Sequence, residues 1–265
     1  GSMGKSAMIK VQVINKEGTI IAEAVGTKEV NLPVSRTYEE GDRVVFLADE
    51  IPAFYVFQAD DALGEALVYV TGEVSYEIPF GEKKVCYSPK IFSGESHLVT
   101  ARKAREWEYE SYRNLAVNVM DQHGDTNCYP HATANVETRG ESVFAARNAI
   151  DGVTSNHSHG YWPYGSWGIN RNPQATMRVD FGREVTTDRI EIYTRADFPH
   201  DAWWTKATVR FSDDTTMVCD LVKTDEGQEF TFPPKKVRWV QLEELIKADD
   251  PSPFPALSQL KVYGK

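Results

Sequence analysis

The chain has 265 residues, with 29 Lys and Arg against 39 Asp and Glu and a formal net charge of −10 at pH 7. Acidity on this scale opposes binding to a nucleic-acid backbone or an anionic membrane surface, both of which select basic stripes. No apolar run reaches the roughly 18 to 20 residues of a membrane span, and the length suits one large domain or two of about 100 to 150 residues each, either able to bury a core.

Gly1-Ser2-Met3 reads as a cleavage remnant extending through Ala7. Met8 then reads as the natural start, because Ile9-Lys10-Val11-Gln12-Val13-Ile14 already alternates as a strand. No signal peptide is visible, which leaves a cytoplasmic protein or a secreted one whose leader has been removed. Short β-branched and aromatic runs follow, bounded by turn residues: Val44 to Leu47, Phe54 to Phe57, Ala66 to Val70 and Val74 to Ile78. Residues 8–95 therefore read as an N-terminal β-rich domain. Ser96 to Tyr112 is charged, lacks Gly and Pro, and predicts a helical connector over 96–113, with His97, Ala101, Ala104 and Trp107 turned inward. A short helix is expected at Ala145 to Ile150. Strands are expected at Met177 to Phe181, Arg189 to Thr194, Ala207 to Phe211, Lys236 to Leu242 and Gln259 to Tyr263. Closely spaced strands separated by Gly, Pro, Asp and Asn indicate a sandwich or jelly roll. The fold class is mainly β. Cys86, Cys128 and Cys219 lie far apart without a C-x-x-C pair, so each reads as a buried free thiol, and the reduced state favours the cytoplasm.

From Asn114 to Lys265 the chain resembles the discoidin domain, also called the coagulation factor five/eight type C domain, with family-32 carbohydrate-binding modules as its bacterial relatives. The residues that carry the resemblance are Ala132-Thr133-Ala134-Asn135, Ala149-Ile150-Asp151-Gly152, Ser166-Trp167-Gly168, Val179-Asp180-Phe181-Gly182 and the closing Leu257-Ser258-Gln259-Leu260-Lys261-Val262-Tyr263-Gly264. The resemblance implies an eight-stranded antiparallel jelly-roll sandwich of the galactose-binding-like type over 114–265, with ligand taken by loops at one end. It also implies a structural calcium where the Ala-x-Asp-Gly loop meets the last strand. Asp151 would supply a carboxylate, Asn156 stands where the family usually has a Thr or Ser oxygen, and Gln259 stands where it usually has a Glu. One ligand charge is thereby missing from the oxygen-rich set a hard cation requires. The first 110 or so residues resemble no named family.

The aromatic fraction of 11% is unevenly spread. His157-Ser158-His159-Gly160-Tyr161-Trp162-Pro163-Tyr164-Gly165 is one concentration, and Arg195-Ala196-Asp197-Phe198-Pro199-His200-Asp201-Ala202-Trp203-Trp204 is another. A sugar offers an apolar C–H face and a rim of hydroxyls, so its site pairs an aromatic platform with a few directional donors and acceptors. The expected ligand residues are His159, Tyr161, Trp162, Tyr164, Arg195, Asp197, His200, Asp201, Trp203 and Trp204. Arg195 directly follows a strand, and its forked donors suit vicinal hydroxyls or a carboxylated sugar. Trp167 is expected in the core, with one of Trp203 and Trp204, since adjacent strand residues face opposite ways. A third loop, Asp249-Asp250-Pro251-Ser252-Pro253-Phe254-Pro255, is stiffened by its prolines, and Phe254 either joins the ligand end or plugs the sandwich.

The function indicated is noncatalytic glycan binding. Two other classes stay open. A hydrolase needs two carboxylates about 5 to 10 Å apart, for which Asp60, Asp61 and Glu65 are candidates, and a lyase would cast His200, Tyr193 and Arg195 as base and uronate clamp. A protein-interaction scaffold is the third.

Overall fold

The computed structural model describes residues 7–157, 162–196 and 202–265. Two compact units divide the chain. The first comprises residues up to Gly81, Ser88–Tyr109 and Gly124–Tyr129; the second comprises Glu82–Tyr87, Glu110–His123 and Pro130–Lys265.

The first unit contains β1 (Ile9–Ile14), β2 (Ile20–Gly26), β3 (Glu29–Ser35), β4 (Arg43–Ala48), β5 (Ala53–Gln58), β6 (Ala66–Val70), β7 (Val74–Glu77) and β8 (Ser96–Lys103). After helix α1 (Glu106–Glu110) come two short strands, β9 (Arg113–Asn114) and β10 (Cys128–Tyr129), of which β10 returns to pair with β6. The antiparallel sheets run β2-β1-β4-β7 and β10-β6-β5-β8-β3. Alternation dictates which face is buried. In β3, Val30, Leu32 and Val34 are buried while Glu29, Asn31, Pro33 and Ser35 are exposed. The inner faces of the two sheets meet at Phe46 and Phe57, whose rings stack with centroids 4.2 Å apart.

Ser96–Lys103 is a strand, not the start of a helical connector; helix is confined to the five residues of α1. His97 and Ala101 are consistent with a helical stripe, but with Val99 between them they also satisfy a period of two, and all three are buried. Pairing with β3 and β5 on both sides decides the outcome, because it satisfies the backbone donors and acceptors of β8.

In the second unit β11 (His131–Ala134), β12 (Trp167–Gly168), β13 (Met177–Thr194), β14 (Trp204–Phe211), β15 (Thr216–Asp220), β16 (Gln228–Lys247) and β17 (Ala256–Gly264) form an antiparallel β-sandwich. The order is β12-β17-β13-β16-β14-β15, with β11 on β13 and β9 on β17. The two longest strands, β13 and β16, stay paired through register shifts at Asp180/Val185 and Thr187/Arg189. Such irregularities bend a strand and let it serve both layers. The first half of β13 pairs with β11 and the second with β17. Trp167 is fully buried in the core, and its indole N–H donates to the Val136 carbonyl at 2.9 Å. A 3-10 helix over Ala146–Ile150, buried along its whole length, packs on β17. All three cysteines are buried, and none is in a disulfide.

Candidate functional site

Where β13 ends at Thr194, the next residue is held at the head of β17 by a hydrogen bond from the Arg195 N–H to the Ala256 carbonyl, 2.9 Å. The Arg195 guanidinium lies over the Tyr164 ring, 3.9 Å from carbon to centroid. Both side chains are largely buried, each about 4% exposed. Tyr164 in turn meets the edge of Phe144, with centroids 6.4 Å apart. Two further cation–aromatic pairs stand nearby, Arg139 over Phe144 at 5.5 Å and Arg171 over Phe254 at 4.4 Å.

Of these groups, Arg195, Tyr164, Phe144, Arg139 and Phe254 border a cavity of about 370 Å³ in the second unit. Its apolar wall is Val85, Val143, Phe144, Ile169, Phe254 and Pro255, and its polar side chains are Thr138, Arg139, Glu141, Asn170 and Arg195. Arg139 forks onto Glu141 at 2.6 and 3.1 Å. Each holds the other charged: the hydrogen bond raises the arginine pKa and lowers that of the carboxyl. The Asn170 N–H donates to Thr138 Oγ1 at 2.9 Å.

The backbone here is unusual. Arg139, Asn170 and Arg171 have φ of 53°, 50° and 58°, three of the six non-glycine residues with positive φ among those described. Side-chain-bearing residues adopt this region at a cost and concentrate at ligand sites. Gly168 sits against the cavity because a Cβ there would lie 2.6 Å from Thr138 Oγ1 and 2.9 Å from Phe144 Cδ1.

Of the expected ligand residues, Tyr164 and Arg195 come together on the cavity. Trp162 is well exposed at 41%, Trp203 is half-buried, and Trp204 is fully buried in the core. The Trp203/Trp204 ambiguity is thus resolved, and Trp204 leaves the ligand set because its side chain faces the sandwich interior. His159, Tyr161, Asp197, His200 and Asp201 lie outside the described residues. Sequence reasoning missed Arg139, Glu141, Phe144, Ile169 and Asn170, which come from turns with no aromatic excess. Phe254 reaches the cavity from the proline loop. The acidic candidates of the first unit belong to a turn. Asp60 is buried, accepts from the Ala62 N–H at 3.0 Å and lies 3.6 Å from His97 Nδ1, and Asp61 accepts from the Leu98 N–H. Tyr193 donates to Glu191 at 2.9 Å.

The residues at the implied calcium position do not fit a divalent cation. Asp151 is buried, which pushes its carboxyl up to about 6 against the pull of Arg147 and the Gln259 hydrogen bond. Its Oδ1 accepts from Gln259 Nε2 at 2.6 Å and from the Val153 N–H at 2.8 Å, and its Oδ2 faces the Arg147 guanidinium at 3.6 Å. Asn156 Oδ1 is a buried oxygen with no hydrogen-bond partner among the described residues, the single feature that favours a cation. Its amide nitrogen reaches Ser258 Oγ at 3.4 Å. No group of three His, Cys, Asp or Glu among the described residues could hold a metal.

Residues 131–250 match the model of the F5/8 type C domain. Among solved structures, the chain is similar to chitosan-binding module 1 of a chitosanase/glucanase from Paenibacillus sp. IK-5, at 20% identity over 57% of this chain and 99% of that one, TM-score 0.41. The lectin domain of lectinolysin complexed with Lewis B antigen shares 17% identity over 58% of this chain and 97% of that one, TM-score 0.43. The family 32 carbohydrate-binding module of C. perfringens NanJ, in complex with galactose, shares 18% identity over 50% of this chain and 91% of that one, TM-score 0.38. No curated protein matches the chain.

Proposed function

We propose that the second unit is a noncatalytic glycan-binding domain whose ligand enters the cavity beside Arg195 and Tyr164. The observation that carries this reading is the Arg195–Tyr164 stack on the wall of a cavity of about 370 Å³, at the end of the sandwich where β13 stops and β17 begins. An aromatic-backed guanidinium is fixed in direction before ligand arrives, so less side-chain entropy is lost when it donates to hydroxyls. The apolar wall suits the C–H face or a methyl-bearing substituent of a sugar, while Asn170 and the Arg139–Glu141 pair offer polar contacts at its edge. Trp162, exposed beside the same segment, extends the platform, as do His159, Tyr161, Asp197, His200, Asp201 and Trp203 in the sequence reading. Neither an acidic chain nor an apolar-walled cavity invites nucleic acid.

A glycan array on the whole chain, followed by calorimetry on its best ligand, tests the reading. Arg195→Ala is expected to weaken binding about tenfold or more, the loss of about 1.5 to 3 kcal/mol from charge-assisted hydrogen bonds. Release of reducing ends or unsaturated products from the bound glycan would replace the binder with a sugar-active enzyme. Capture of a protein partner with no glycan signal would replace it with a scaffold.

A further inference from the structure

From the buried polar contacts around β17 we infer that an internal cation, the Arg147 guanidinium, takes the place of a metal ion at the junction between the Ala149–Gly152 loop and β17. The domain is then stapled by Arg147, Asp151 and Gln259 and folds without calcium.

Gln259 is fully buried and makes three hydrogen bonds that agree on its orientation. Its Nε2 donates to the Asn148 carbonyl and to Asp151 Oδ1, both at 2.6 Å, and its Oε1 accepts from the Gly152 N–H at 3.1 Å. Turning the amide over would set oxygen against two acceptors and a donor against a donor, so the partners fix it. One Asp151 oxygen thus accepts from Gln259 and the Val153 N–H, while the other faces the Arg147 guanidinium at ion-pair distance, 3.6 Å.

Arg147 is itself built in. It is 7% exposed, donates to Asn148 Oδ1 and the Val119 carbonyl at 3.1 Å each, and lies over the Tyr87 ring at 4.5 Å. One buried carboxylate facing one buried guanidinium is electrically balanced. Adding a divalent ion would leave an excess of two positive charges beside two largely buried side chains, a cost that no neutral amide oxygen such as that of Asn156 offsets. A glutamate at 259 would reverse this, setting two carboxylates in contact and creating the need for a cation. The glutamine and the arginine therefore act together.

The test uses the whole chain and thermal unfolding, with calcium titrated by calorimetry in parallel. Wild type is expected to melt within about 1 °C of the same temperature in excess calcium and in excess EDTA, with no calorimetric signal for calcium. A calcium-dependent rise of several degrees, or a saturable calcium isotherm, overturns the inference whatever the variants do. Gln259→Glu is expected to melt lower in EDTA, and Arg147→Met/Gln259→Glu to regain stability when calcium is added. A Gln259→Glu chain that melts like wild type in EDTA would contradict the role assigned to the amide.

Discussion

Arg195 and Trp204 lie nine residues apart in an aromatic-rich segment, and their fates differ because of direction rather than composition. Trp204 opens β14 with its ring in the core, so Trp204→Ala removes a large buried side chain. It is expected to cost ~3 to 5 kcal/mol and lower the melting temperature by several degrees in a denaturation scan. Trp162→Ala touches no core. Its melting temperature should match wild type while glycan affinity falls, and unchanged affinity on the same array would remove Trp162 from the platform. Composition alone treats the two tryptophans alike. The strand boundary at Thr194 was readable in sequence, so Arg195 could be placed at a strand end. The depth of each Trp was not readable, because it depends on which face of a strand meets the second layer.

At the scale of elements, Gly168 and Glu108 show how local sequence reaches beyond itself. Gly168→Ala forces Thr138 and Phe144 aside at the cavity, so ligand affinity should drop by more than the modest fall in melting temperature suggests. In the first unit, Glu108 on α1 takes both guanidinium nitrogens of Arg102 on β8, at 2.7 and 2.9 Å. That hydrogen bond holds its carboxyl well below the usual range, at about 2. A depressed carboxyl stabilises the fold above its unfolded pKa of about 4.5 and loses that contribution as pH falls toward 2. The melting-temperature gap between wild type and Glu108→Gln should accordingly be present at pH 7 and close on acidification. A gap that ignores pH would mean the pair is packing rather than charge. The same pair explains why a helix was expected too early. Its charged residues do cluster near a helix, but the preceding eight form β8, whose two neighbours come from elsewhere in the chain and leave no local trace.

For the molecule as a whole, the net charge of −10 argues against nucleic-acid and anionic-membrane partners, and the buried Arg147 guanidinium faces Asp151 at the position where the sequence resemblance implies a calcium. The C-terminal sandwich was legible because its strands alternate and its short motifs fall in order. The first unit shows the same alternation without recognisable motifs, so its β class was legible and its role was not. The cavity was half legible. Tyr164, Arg195 and Phe254 lie in conspicuous segments, whereas Arg139 and Asn170 reach the cavity from positive-φ positions and Glu141 through its pair with Arg139, none of them in a segment that stands out by composition.

The account stands most directly on one comparison: calorimetric titration of wild type and Arg195→Ala with the strongest glycan from an array, alongside matched melting curves. It predicts saturable binding by wild type, at least about tenfold weaker binding by the variant, and a variant that remains folded. A wild-type chain that binds no glycan, or a folded variant that binds as tightly as wild type, would contradict it.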